Sequence, residues 1–144
     1  MPPDSPPDRQ RILLVTGMLG AGKTTALHEL EDLGWEAIDN FPIRLLGRLI
    51  GREGERADGE TPPLAVGFDS RTRDFSPDRV IERVKLLSAR GDLEVNTLFL
   101  DCSSAELRRR FDETRRRHHL AQDVPVDIGI LAERELLAPL RRWA

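Results

Sequence analysis

The chain has no tyrosine, two tryptophans and one cysteine, Cys102, among its 144 residues. A lone thiol excludes an intrachain disulfide and any cysteine-based metal site, and it suits a reducing compartment. Aromatic residues make up only 5%, so a surface that stacks single-stranded bases is not expected. No apolar run approaches the roughly 20 residues of a membrane span. Residues 1–10, MPPDSPPDRQ, lack the apolar region of a signal peptide and read as a disordered, proline-rich leader. These absences predict a cytoplasmic protein without a membrane partner. The net charge of −3 gives no general attraction to nucleic acid or anionic lipid, so any polyanion site must be a local patch. Lysine is nearly missing as well: of 22 basic residues only Lys23 and Lys85 are lysines, which makes the place of Lys23 conspicuous.

What is present suits one domain of modest core, residues 11–144, with 39% hydrophobic and 33% charged residues. The run ILLV within Arg11 to Thr16 reads as a short buried strand ending at Gly17. A helix is expected from Lys23 to about Leu33, with Ala26, Leu27, Leu30 and Leu33 on one face and Gly34 as its stop. Further strands are expected over Trp35 to Asp39, Leu64 to Asp69 and Asn96 to Asp101. Helices are expected over Ile43 to about Ile50, Pro77 to about Arg90 with Ser76 as cap, from Ser103 or Ser104 onward, and over about Asp127 to Arg142. The polar segment Gly51 to Pro63 reads as a surface loop. Strand and helix alternate throughout, which points to an α/β fold: a parallel sheet with helices on both faces, lacking a last strand after Arg142.

The segment Gly17-Met18-Leu19-Gly20-Ala21-Gly22-Lys23-Thr24 fits G-x-x-x-x-G-K-[ST], the Walker A phosphate loop. Glycines let the backbone turn tightly and approach a phosphate, and successive amides and the helix start supply partial positive charge. Lys23 would place an ammonium on the β- and γ-phosphates. Thr24 would offer its hydroxyl to Mg²⁺, and Thr25 extends the amide row. The expected ligand is a purine nucleoside triphosphate, ATP or GTP, with Mg²⁺. No N-K-x-D segment marks a choice of base.

Such a site also needs an acid at a strand end. Asp69 and Asp101 both qualify. In a kinase-like sheet the third strand lies beside the first, which favours Asp69 as the metal-side residue. Asp39, with Asn40, ends the second strand and is read equally as a general base or as turn chemistry before Pro42. The segment Leu107 to His119, LRRRFDETRRRHH, places Leu107 and Phe111 on one helical face and pairs Arg108 with Asp112 and Arg109 with Glu113. Arg115, Arg116 and Arg117 have less acid nearby. One of them would stabilise charge on a transferring phosphoryl group, or the patch would grip RNA phosphates. His118 and His119 lack metal-ligand spacing, His28 reads as a surface residue, and Cys102 as a thiol at the core edge.

Together, the phosphate loop, ALHELEDLGWEAIDNFP, FDSRTRDF, LFLDCSSAELRRRFDETRRRHHL and ERELLAPLR resemble, in this order, the RapZ-type nucleotide-binding proteins, the family of the bacterial RNase adapter. The likeness runs from about Ile12 to Arg142. It implies a kinase-like, three-layer P-loop domain that hydrolyses ATP and GTP, with the ATP site at Gly17 to Thr24. It also implies a GTP-associated D-x-R segment at Asp69, Ser70, Arg71 and Thr72. The family usually has proline where His119 stands. Its members run to roughly twice this length, with a C-terminal domain associated with RNA and amino-sugar phosphates. The expected function is slow, regulatory ATP and GTP hydrolysis, with Lys23, Asp69, Arg115 and Arg116 as catalytic candidates. The alternatives are a small-molecule kinase with Asp39 as base, and an RNA-binding or protein-binding adapter switched by nucleotide.

Overall fold

The structure, a computed structural model, describes residues 9–51, 61–114 and 125–144. Four parallel strands form one sheet: β1 (Gln10–Gly17), β2 (Glu36–Ile38), β3 (Leu64–Gly67) and β4 (Leu93–Leu100), in the spatial order β2-β3-β1-β4. Leu14 of β1 sits opposite Val66 on one side and Thr97 on the other. The helices are α1 (Lys23–Asp32), α2 (Leu46–Ile50, entered through a 3-10 turn at Ile43–Leu45), α3 (Pro77–Ser88), α4 (Ser104–Thr114) and α5 (Val126–Trp143).

The two-residue period of a strand sorts β1 onto two faces. Ile12 and Leu14 pack with Leu46, Val80, Val84 and Leu140, under α2, α3 and α5. Leu13 and Val15 pack with Leu27 and Leu30 of α1 and with Trp35. Helices therefore cover both faces, as the alternation of elements implies. A third cluster joins Met18 and Leu19, just past β1, to Leu107 and Phe111 of α4 and Ile130 and Leu137 of α5. It seats the end of β1 in the core, and the candidate site is built directly on it.

Several boundaries differ from the sequence reading. β1 begins at Gln10, inside the segment read as leader, because Gln10 pairs with Leu93. β4 begins three residues before Asn96 for the same reason. Its exposed Glu94 and Asn96 alternate with more buried neighbours, so no apolar run announces it. Leu33 is 75% exposed rather than on the buried face of α1, since the helix ends at Asp32 and the chain turns at Gly34 (φ 95°). Ser76 occupies the cap position of α3 but its hydroxyl makes no cap bond, whereas Ser103 accepts the Glu106 N–H at 3.1 Å and caps α4. Residues 1–8, most of the 51–63 loop, and Arg115, Arg116, Arg117, His118 and His119 lie outside the described residues.

Gly17 closes β1 at φ 144°, and a Cβ there would lie 2.0 Å from the Leu100 carbonyl oxygen. Backbone cannot yield as a side chain can. Gly17→Ala is expected to cost about 2 kcal/mol or more, read as a lowered urea midpoint at unchanged slope. A loss under about 0.5 kcal/mol would contradict this register.

Candidate functional site

The loop between β1 and α1 is fastened from behind. The Met18 N–H donates to the Leu100 carbonyl at 3.0 Å and the Ala21 N–H to the Met18 carbonyl at 3.1 Å. The Leu19 N–H donates to Oε1 of Glu133 on α5 at 3.0 Å. The Gly20 carbonyl accepts from Nη1 of Arg110 on α4 at 2.5 Å. Arg110 is itself held by Glu106, whose carboxyl is brought down to about 2 by hydrogen bonds from Arg109 and then Arg110. Met18 and Leu19 bury their side chains at 3% and 5% exposure. Their places in the motif are open to any residue, yet here they anchor the loop.

Gly20 and Gly22 adopt positive φ, 87° and 107°, where a side chain would be strained. Gly22 caps α1, and the Ala26 N–H closes the first turn on its carbonyl at 3.0 Å. The amides of Gly20, Gly22, Lys23, Thr24 and Thr25 have no hydrogen-bond acceptor among the described residues. Those of Gly22 to Thr25 are consecutive donors at a helix N-terminus whose first turn carries no acidic side chain. Such a donor row suits an anion.

Two strand ends supply the acids. The Lys23 ammonium is shared between Asp39 Oδ1, at the end of β2, and Asp69 Oδ2, 3.5 Å away beyond β3. Asp39 comes this close because β3 carries Gly67: a Cβ there would lie 2.6 Å from Asp39 Oδ1. Asp69 is 2% exposed. Its Oδ1 accepts the Arg71 main-chain N–H at 2.8 Å, and its Oδ2 lies 3.2 Å from Arg71 Nη2. Burial pushes the Asp69 carboxyl up. The Arg71 hydrogen bonds, with the charges of Arg71 and Lys23, more than offset this and hold it below the ordinary carboxylate value.

The segment after Asp69 is tied on both sides. The Thr72 hydroxyl accepts the Asp69 N–H at 2.9 Å and donates to Asn40 Oδ1 at 2.8 Å. Asn40 sits in the left-handed region, φ 54°, which asparagine tolerates. Its N–H donates to Asp39 Oδ1 at 2.7 Å. The Asp39-Asn40 pair is thus turn chemistry and also a contact to Lys23. On the other side, the Ser70 hydroxyl donates to Glu133 Oε2 at 2.6 Å.

The structure therefore brings Lys23, Asp39, Asp69, Ser70, Arg71 and Thr72 to the mouth of the loop, with Thr24 and Thr25 opening α1. Asp101 is engaged elsewhere: Arg134 donates to both its oxygens at 3.0 and 3.1 Å, and Arg141 lies 3.4 Å away. Arg108 and Arg109 make the expected helix pairs with Asp112 and Glu113. His28 is exposed. Cys102 packs at the edge of the third cluster, and burial pushes its thiol up. Glu133 and Arg110 are the residues that sequence reasoning misses. Glu133 had one signal: it lies on the buried stripe of Ile130, Leu137 and Leu140. Arg110 is hidden among arginines that pair locally.

Asp69 has a lower folded than unfolded pKa, so its ionised form stabilises the fold above about pH 3.9, and that contribution vanishes as pH falls through the folded value. Asp69→Asn is expected to cost about 1–3 kcal/mol near neutrality and progressively less in acid. Chemical denaturation across pH checks this, and a penalty that persists undiminished at the lowest pH would refute it.

A family model described as the RapZ-like N-terminal domain matches residues 10–144. A nucleotide-binding protein of Novosphingobium aromaticivorans is 65% identical over 145 residues, covering 100% of this chain and 47% of that protein. Its counterpart in Erythrobacter litoralis is 60% identical, covering 94% of this chain and 44% of its own length. A nucleotide-binding protein of Sphingopyxis alaskensis is 56% identical, covering 97% and 44%. The chain spans a little under half the length of these curated relatives. With the loop, the strand order and the Asp39-Asn40 turn in place, the match leaves one conclusion: this chain belongs to the family of the RapZ-like N-terminal domain.

Proposed function

We propose that the chain binds a purine nucleoside triphosphate, ATP or GTP, together with Mg²⁺, and hydrolyses it slowly in a regulatory role. The observation that carries this reading is the set of acceptor-less amides of Gly20 and of Gly22 to Thr25, around Lys23 with Asp69 beside it. The relatives described as nucleotide-binding proteins support it. The donor set also fits Mg²⁺ better than a metal caged by protein. Among the described residues no group of three or more His, Cys, Asp or Glu is placed to hold a metal, and Mg²⁺ is commonly held by one or two carboxylates plus phosphate oxygens. Thr24 and Asp69 would hold it, and when bound it neutralises charge on the β- and γ-phosphates.

Lys23 exchanges Asp39 for phosphate oxygens when the triphosphate enters. The Asp39 carboxylate is then freed toward the crevice and orients the attacking water. The water oxygen bonds to the γ-phosphorus as the bridging bond to the β-phosphate breaks. The nucleoside diphosphate leaves with the bonding electrons, and the proton passes to solvent. Arg71, 47% exposed beside Asp69, faces the charge that develops. Arg115 and Arg116, outside the described residues, would assist in the same way. No helix among the described residues is long and apolar enough to cross a membrane.

Turnover of γ-labelled ATP and GTP tests the proposal, and free phosphate is the expected product. Lys23→Ala is expected to weaken binding roughly 10- to 100-fold, the loss of a charged hydrogen bond to phosphate. Unchanged affinity in that variant would sink the assignment. Label found on an added acceptor instead of free phosphate would favour a small-molecule kinase with Asp39 as its base.

A further inference from the structure

Glu133 is 0% exposed, on a helix stripe otherwise made of Gly129, Ile130, Leu137 and Leu140. A leucine at this position would complete the apolar stripe. A buried carboxylate is costly unless its oxygens are satisfied. Both are: Oε1 takes the Leu19 N–H at 3.0 Å and Oε2 the Ser70 hydroxyl at 2.6 Å. The two donors come from the two halves of the candidate site. Leu19 lies in the phosphate loop, four residues before Lys23. Ser70 directly follows Asp69. The two carboxylate oxygens take one donor each, so a single side chain joins the two segments.

We propose that Glu133 is a positioning residue that locks the phosphate loop and the Asp69–Thr72 segment into one unit, so that the metal-side carboxylate keeps its place relative to the bound triphosphate. The inference rests on the nucleotide reading above and adds to it a role for α5, a helix that otherwise contributes only packing to the site. Glu133 acts through Leu19 and Ser70. Glu133 reaches the donor row through the Leu19 amide alone but reaches Asp69 through Ser70 as well, so metal-free nucleotide binding depends on it less than binding in Mg²⁺ does. The part of the affinity that Mg²⁺ adds requires Asp69 at a fixed distance from the phosphates, and that part depends on it strongly.

Isothermal titration of the whole chain with ATP, in Mg²⁺ and in EDTA, reads the two parts separately. Glu133→Leu, which retains bulk, is expected to lose about tenfold or more of its affinity in Mg²⁺, the worth of one charged hydrogen bond, and only about threefold in EDTA, where the unpaired Leu19 amide is felt alone. Glu133→Gln is expected to recover most of the loss. Its amide oxygen still accepts from Leu19, and its amide group can donate to the Ser70 hydroxyl with the bond reversed. Ser70→Ala is expected to lose mainly in Mg²⁺, and the double variant with Glu133→Leu should lose clearly less than the product of the two single losses, because both break one shared contact. Equal losses in Mg²⁺ and EDTA, full additivity of the pair, or a Glu133→Leu protein that binds as wild type would each overturn the proposal. Should Glu133→Leu fail to fold, Ser70→Ala decides alone: Mg²⁺-dependent affinity unchanged from wild type would refute the coupling. Wild-type protein that binds neither nucleotide would bring down the nucleotide reading itself, and this inference with it.

Discussion

A loop can offer amides to an anion only if its remaining polar groups are satisfied from behind. Every buried N–H and C=O must find a partner, and a glycine-rich turn left to itself collapses onto its own carbonyls. Here the backbone accounting closes on three sides. Leu100 takes the Met18 amide, Glu133 the Leu19 amide, and Arg110 caps the Gly20 carbonyl. The side chains of Met18 and Leu19 are buried between α4 and α5, so the loop is also held by packing. What remains is the Gly20 amide and the row from Gly22 to Thr25. The shape of the donor row thus depends on helices that follow it by some ninety residues or more, and those contacts explain why a short motif needs a whole domain around it.

The charges obey a similar economy. Lys23 meets two carboxylates, and one of them, Asp69, also meets Arg71. An ammonium at 13% exposure beside a carboxylate at 2% exposure is tolerable because the pairing is mutual and hydrogen bonds satisfy the remaining oxygens. The arrangement leaves Asp39, at 40% exposure, as the partner that an entering polyanion displaces most cheaply. Gly67 decides that Asp39 is there at all, since any side chain on that residue of β3 would occupy its place. A glycine in a strand, which weakens the strand, is here the condition for a carboxylate to reach the loop.

Much of this was legible in the sequence, for identifiable reasons. β1 and β3 are buried on both faces, so they read as continuous apolar runs. The phosphate loop is fixed by spacing. The third strand lies beside the first, as expected, but β4 lies there too; what sets the two acids apart is that Asp69 is 3.5 Å from Lys23 while Asp101 is held by Arg134. The start of β4 was not legible, because an edge strand with one exposed face carries Glu94 and Asn96 among its apolar residues. Glu133 and Arg110 were not legible as site residues, because each sits in a charged helical stretch where local pairing is the ordinary account. For Arg108 and Arg109 that account holds. What separates Arg110 is the partner it reaches off the helix: beside Glu106 it meets the Gly20 carbonyl, where Arg108 reaches Asp127 of α5 and Arg109 stays with Glu106 and Glu113 of α4.

The segment Asp69 to Thr72 shows what its sequence pattern does physically. Its two hydroxyls leave in opposite directions, Ser70 to α5 and Thr72 to Asn40 behind β2. The first tie fixes the segment to the helix that also holds the phosphate loop, and the second fixes it to the turn that brings Asp39 to Lys23. Asp69 is therefore placed by neighbours on both flanks, and its main chain folds back on itself through the Thr72 N–H to the Asp69 carbonyl at 2.9 Å. Hydroxyls at positions 70 and 72 serve the placing of a carboxylate whether or not either touches a nucleotide. The spacing D-S-R-T and the distant D-N-x-P are then two halves of one hydrogen-bonded structure, and a change in either half is felt at Lys23.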